Sequence, residues 1–309
     1  MMTKTLIKKS LPEQTLGRSE GDLFSNPKDL TVIMVPFERF SPFAKAVDDL
    51  YKTIDVPFNL IVVEGNAPES VRASLEKCQR KHKNITIIYS SHQTSVGAAI
   101  NLAVPHLKTK YAFIIDNDVR IPRGAMSRLL KNAADNDYGI VCPQNYVVLS
   151  RGEKVENAKV QSLGMRTCLL ISRDIILRLG KFDETMTPFT MEIDIRMSAE
   201  ELGIPIWRET STQIELESEK FLWPEDASLH SFQWNETRIF DSLKGLEKKW
   251  GVRLQMQDYA AWLMGKKRDL LELRSPFFFL SGILSKIRIF NNERFQQENV
   301  REFVIPEAA

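Results

Sequence analysis

In YAFIIDNDVRIP, residues 111–122, an apolar run climbs through Phe113, Ile114 and Ile115 and stops at Asp116-Asn117-Asp118. A short β-branched and aromatic run of this kind predicts a buried strand. Two carboxylates one residue apart at its end have two explanations. Asp and Asn open turns and cap helices. Paired carboxylates also offer hard oxygen donors, which suit Mg²⁺ or Mn²⁺. The kind of sheet that holds the strand decides between them.

Working upstream, LTVIMVPF (30–37), FNLIVVEG (58–65) and ITIIYSS (85–91) predict three more buried strands. Amphipathic stretches separate them: SPFAKAVDDLYKTI (41–54), PESVRASLEKCQRKH (68–82) and VGAAINLAVPHL (96–107). In the first, Ser41 is expected as N-cap with Pro42 at N1, and Phe43, Val47, Leu50 and Ile54 recur at helical spacing. RGAMSRLLKNAAD (123–135) predicts a fourth helix. Strands alternating with helices imply an α/β fold with a doubly wound, mostly parallel sheet covered on both faces. Such sheets bind ligands beyond the carboxyl ends of their strands. Along that edge stand Glu38-Arg39, Glu64-Gly65-Asn66, Ser91-His92-Gln93 and Asp116-Asn117-Asp118. The position favours the metal-binding explanation of the two aspartates.

Beyond residue 140 the alternation loosens. GIVCPQNYVVL and TCLLIS predict strands, KVENAKVQ between them is ambiguous, and MEIDIRMSAEELG (191–203) predicts a helix closed by Gly203. Residues 236–250 and 258–273 predict two further helices. Glu192, Asp194 and Arg196 form a second acidic cluster. Acids favour a helix's first turn, and Glu192 with Arg196 has the spacing of an ordinary i,i+4 pair. Equally, Glu192 beside Phe189 and Met191 has the surroundings of a general base whose pKa is moved toward neutrality. His230 is either a packed histidine or a metal ligand.

Composition narrows the classes. The 309 residues carry 42 Lys+Arg against 40 Asp+Glu, which argues against a dedicated nucleic-acid binder. Cys78, Cys142 and Cys168 are odd in number and widely spaced, forming neither a disulfide framework nor a zinc motif. A reducing cytosol is the expected compartment. The polar start, residues 1–28, has no apolar signal core and predicts a flexible tail. No run approaches the roughly 20 apolar residues of a spanning helix.

Taken in order, these pieces resemble the family 2 glycosyltransferases of the GT-A fold. TVIMVPFERF is similar to their first strand and its P-T-Y-N-R ending, and LIVVEGNAPES to I-V-V-D-D-G-S-T-D. SVGAAINLAV is similar to N-x-G-x-a-x-a-R-N-x-g, and YAFIIDNDV to the strand bearing D-x-D. LGKFDE…MEIDIRMSAEELG is similar to G-G-F-D-E…E-D-x-D-l…R…G, and FDSLKGLEKKWG to the closing F…K-W-G. The resemblance implies a cytoplasmic inverting transferase of the hexosyltransferase class, or one held at the inner face of a membrane. It would take a sugar from a nucleoside-diphosphate sugar, most often a UDP-sugar, to an acceptor hydroxyl on a saccharide, a lipid-linked molecule or a small molecule. It implies Phe37, Glu38 and Arg39 walling the nucleoside, Glu64 reading the base, and Gly97 and Asn101 contributing to the nucleotide-sugar site. Asp118 is the implied ligand of a Mn²⁺ or Mg²⁺ ion, with Asp116 near the ribose or a metal-bound water, and Glu192 is the implied base.

Four positions depart from the family pattern. Glu38 replaces the usual Asn and Glu64 the usual Asp, while Met191-Glu192 replaces E-D. The strand STQIELE carries Glu215 and Glu217 where a metal-binding His is usual nearby, so His230 fills that role only across the insertion SEKFLWPED.

The expected organisation is a tail (1–28), a GT-A domain (29–251, divided into a nucleotide half at 29–122 and an acceptor half at 123–251) and a helical extension (252–309). In the extension, RSPFFFLSGILSKIRIF (274–290) reads as a helix packed on the domain or at a homodimer interface, or as an amphipathic segment on an anionic membrane. Two other classes stay open. A sugar nucleotidyltransferase would carry a Gly-rich basic loop after strand one, which VPFERFSPF lacks. A catalytically silent binding protein would not need Asp116, Asp118 and Glu192 together.

Overall fold

A computed structural model describes residues 29–136, 139–150, 153–154, 168–217 and 222–251. The expected tail, the expected helix at 258–273, the segment 274–290 and most of KVENAKVQ lie outside the described residues.

β1 (Leu30–Val35), β2 (Asn59–Val63), β3 (Ile85–Ile88) and β4 (Tyr111–Asp116) form a parallel block in the order β3-β2-β1-β4. Helices α1 (Phe43–Thr53), α2 (Glu69–Lys81) and α3 (Val96–Ala103) make the crossovers. Every residue of β1 and β4 is buried, as continuous apolar runs require when both faces are covered. Alternate side chains serve opposite faces. Leu30, Val32 and Met34 share one core with Phe43, Val47 and Leu50 of α1, Leu75 of α2 and Leu129 of the following helix α4 (Ala125–Asp135). Ile33 and Val35 point the other way, into a core with Val96, Ala99 and Ile100 of α3.

The second half is mixed. β5 (Val119–Arg120), β6 (Ile140–Ser150), β7 (Glu153–Lys154), β8 (Cys168–Ser172) and β9 (Ile206–Glu217) extend the path as β4-β8-β6-β9-β5, with β7 on β6. β8 is antiparallel to β4 and β6, whereas β9 is parallel to β6 and antiparallel to β5. α5 (Arg173–Leu179), α6 (Pro188–Glu201), α7 (Ala227–Gln233) and α8 (Glu236–Trp250) complete the described chain. No described helix is long and apolar enough to cross a membrane.

Two local expectations change. Ser41 does not cap α1. Its backbone N–H and hydroxyl donate to the buried carboxylate of Asp226, at 2.8 and 2.9 Å, and the Phe40 N–H donates to the same group at 2.8 Å. The helix expected at 96–107 stops at Ala103 and tightens into a 3₁₀ turn, Val104–His106, because Pro105 has no N–H to continue the ladder. Gly203 follows α6 at φ 63°, the left-handed stop expected of it.

Candidate active site

The carboxyl edge of the parallel block is assembled around the D-N-D turn. Asp116 is the last residue of β4 and is 0% exposed, beside a buried Asn117. Asn117 joins the turn to the end of β1. The Phe37 N–H donates to its Oδ1 at 3.3 Å, and its Nδ2 donates to the Arg39 carbonyl at 2.6 Å. The segment Phe37–Arg39 is thus tied to the D-N-D turn. Trp234 Nε1 donates to Glu38 Oε2 at 3.0 Å, so the end of α7 closes over this loop.

After β2 the chain turns through two left-handed residues, Gly65 at φ 69° and Asn66 at φ 62°. A Cβ on Gly65 would stand 2.8 Å from Pro36 Cγ and 3.0 Å from Thr94 Oγ1, so only glycine lets the turn sit between the β1 end and the loop after β3. Glu64 is 0% exposed. Its carboxylate accepts from the Ala67 N–H, from the Ser90 N–H at 2.9 Å, and from Arg72 Nε and Nη2 at 3.4 and 3.2 Å. The protein itself thus engages both carboxylate oxygens of Glu64.

Gly97 and Asn101 stand against the segment that precedes α6. A Cβ at Gly97 would lie 2.8 Å from the Asp183 carbonyl oxygen. Asn101 accepts from the Phe182 N–H and donates to its carbonyl, both at 2.9 Å, and donates to Glu184 at 3.0 Å. Ser95 caps α3 through the Ala98 N–H and donates to the Glu184 carbonyl at 2.9 Å. One face of α3 therefore fixes the segment 182–184, and that segment leads into α6. There Thr187 and Thr190 form a capping box, completed by Ser242 of α8.

On α6, Met191 is buried and Glu192 half-buried. Burial pushes the Cys142 thiol up to about 11, with Arg208 pulling it down and Glu192 adding to the rise. Burial likewise pushes Cys168 well above the thiol range, with contributions from Asp116 and Cys142. Both thiols are therefore neutral near pH 7, with Asp116 in electrostatic range of Cys168 on β8 and Glu192 in range of Cys142 on β6. Asp194 serves structure: it is 6% exposed and accepts from Lys249 Nζ at 2.6 Å and Trp250 Nε1 at 2.7 Å. The K-W-G signal in the sequence is its counterpart.

His230 lies on α7, 2% exposed, its ring 6.3 Å from that of Trp234. Among the described residues no group of three His, Cys, Asp or Glu side chains is placed to hold an ion. The donor set of the turn still fits a hard divalent cation. Two carboxylates at a buried strand end suit Mg²⁺ or Mn²⁺, which complete their shells with water and phosphate oxygens. β5 pairs Arg120 with Glu215 and Val119 with Leu216, so the strand expected to precede the metal histidine does run beside the D-N-D turn.

Arg238 was not foreseen from the sequence. It donates to Gln233 Oε1 and to the Met186 carbonyl, both at 3.1 Å, and lies 4.2 Å over the Phe232 ring. Burial lowers its pKa to about 10. Gln233 in turn donates to the Thr94 carbonyl at 3.4 Å, tying the two halves together.

A curled sheet with this edge is the GT-A fold of glycosyltransferases. The mannosyltransferase PcManGT from Pyrobaculum calidifontis, solved with GDP-Man and Mn²⁺, superposes with a TM-score of 0.52 at 14% identity, over 86% of this chain and 82% of that one. GalNAc-T7, solved with UDP, GalNAc and Mn²⁺, superposes with a TM-score of 0.51 at 12% identity, over 85% of this chain and 58% of that one. No curated protein matches the chain by sequence. The family model for glycosyl transferase family 2 matches residues 31–188. The chain belongs to that family and is a glycosyltransferase.

Proposed function

We propose that the protein transfers a hexosyl group from a nucleoside-diphosphate sugar, a UDP-sugar foremost, to an acceptor hydroxyl with inversion, and that Glu192 is its base. The observation that carries this reading is the half-buried Glu192 on α6, the helix that follows the segment 182–184 held by α3. Asp118 and Asp116 would hold a divalent cation, which, when bound, offsets the negative charge that grows on the departing diphosphate. Phe37 and Arg39, fixed through Asn117, line the nucleoside.

In the transfer, Glu192 takes the proton of the acceptor hydroxyl. The oxygen then attacks the anomeric carbon from the face opposite the diphosphate, and the bond to the diphosphate breaks with its electron pair going to the leaving group. A base on α6 and carboxylates at the β4 end lie on different elements, which suits attack and departure on opposite faces of the sugar.

Glu192→Gln tests the assignment. It should keep Mn²⁺-dependent binding of donor, read as a thermal shift with a panel of UDP-, GDP- and dTDP-sugars. The same variant should lose roughly 10²–10⁴-fold in turnover. Transfer at the normal rate would remove Glu192 from the mechanism.

A further inference from the structure

The turn after β2 presents a hydrogen-bonding pattern of its own. Asn66 Oδ1 accepts from Arg72 Nη2 at 3.1 Å. A guanidinium only donates, so this contact fixes which way the Asn66 amide faces. Its Nδ2 is left as a donor with no protein partner among the described residues, on a half-buried side chain at the ligand edge. Gln93, in the loop after β3, donates from Nε2 to the Asn66 carbonyl at 3.4 Å and to Ser228 Oγ at 3.3 Å. The Asn66 carbonyl only accepts, so the Gln93 amide is oriented too. Its Oε1 is buried and has no hydrogen-bond partner among the described residues. A buried acceptor left in this way is costly until a donor meets it. Gln93 Oε1 is covered in this structure, so a ligand meets it only when that side chain moves.

We infer that Asn66 and Gln93, not Glu64, are the specificity-determining residues for the nucleobase, and that they select bases with a carbonyl beside a ring N–H. The inference rests on the nucleotide-sugar reading proposed above. A donor next to an acceptor complements O4 and N3–H of uracil or thymine, and O6 and N1–H of guanine. Cytosine and adenine present an amino group and a bare ring nitrogen there, which sets donor against donor and acceptor against acceptor. Glu64 is engaged by Ala67, Arg72 and Ser90, and its part is to hold the turn. Arg72 links the two tasks, because one guanidinium bonds both the Glu64 carboxylate and Asn66 Oδ1.

The test is calorimetric titration of the full chain with UDP, GDP, CDP and ADP in Mn²⁺, beside N66D and E64Q. In the wild type UDP and GDP should each bind at least about tenfold tighter than CDP and ADP, two well-made against two mispaired hydrogen bonds. N66D keeps one oxygen on Arg72 and turns the second toward the base as an acceptor. It should narrow the gap by about tenfold. E64Q should lower the melting temperature and leave the order of the four unchanged. CDP or ADP binding as tightly as UDP and GDP overturns the inference, as does a folded N66D with the original order, or an E64Q that reorders the nucleotides. If N66D does not fold, the wild-type order alone decides. Wild-type protein that binds none of the four removes the proposed function itself, a result distinct from a wrong order.

Discussion

Asn117 and Gly97 show how single residues act here through backbone geometry. The two acids of D-N-D were legible as ligand-edge residues from their place after a fourth apolar run. The Asn between them was not, because its partners, Phe37 and Arg39, are about 80 residues away in sequence. Gly97 and Asn101 were legible as a pattern, but the pattern carries no information on which neighbour needs it. The 2.8 Å approach of a Cβ to the Asp183 carbonyl supplies the reason. Gly97→Ala must push backbone against backbone, so it should destabilise the fold by about 1–3 kcal/mol. It should also lower turnover more than it weakens donor binding, because the displaced segment carries α6 and Glu192. Chemical denaturation, with kcat and donor affinity measured separately, checks both parts.

Whole elements are secured in two ways. α3, α5 and α8 cap themselves, with Ser95, Ser172 and Asn235 accepting from the third following N–H. Such caps are local and can be read from sequence. α4 has Gly124, which has no side chain to offer, at its N-cap position, and takes its cap from Asp55, 72 residues before Ser127, through the Ser127 N–H at 3.2 Å and hydroxyl at 2.6 Å. The β6–β9 pairing shifts register between Pro143 and Asn145, and there Glu209 folds back on its own strand. Its carboxylate, 4% exposed, accepts from the Ser211 N–H at 2.8 Å, the Thr212 N–H at 2.6 Å and the Ser211 hydroxyl. Burial pushes the Glu209 pKa up, but these hydrogen bonds outweigh it and hold it below the ordinary 4.5. A lowered folded-state pKa stabilises above the unfolded value and is lost as pH falls through the folded one. The stability gap between wild type and Glu209→Gln should therefore be widest above about pH 4.5 and close as pH drops below it. Urea melts across pH 3–7 measure that gap, and one independent of pH would count against the staple.

At the scale of the molecule, the parallel half was legible because each of its strands is a continuous apolar run flanked by an amphipathic helix. In the mixed half β6, β8, α6 and α8 were legible as elements, but their arrangement was not. Antiparallel β8 and the β9–β5 pairing depend on long-range register, which local periodicity does not encode. Besides the β4–β8 pairing, polar ties through α7 join the halves: Asp226 to Phe40 and Ser41, Trp234 to Glu38, and Gln233 to Thr94. Asp226→Ala leaves two buried or half-buried N–H groups at the entry to α1 without an acceptor, a loss of about 2–4 kcal/mol. Thermal denaturation should show it as a lower melting temperature. Hydrogen exchange should be faster at residues 40–46 than in β4.

The tie from Asp226 to Ser41 spans 185 positions in the chain. On a ribosome adding about 5–20 residues each second, the carboxylate emerges about 10–40 s after the helix entrance it completes. Until then the amides of Phe40 and Ser41 lack that acceptor. The nucleotide half is thus synthesised first and finished last. Its closure is a late event in folding, and loss of Asp226 should act on the rate at which the finished enzyme opens more than on the rate at which it forms.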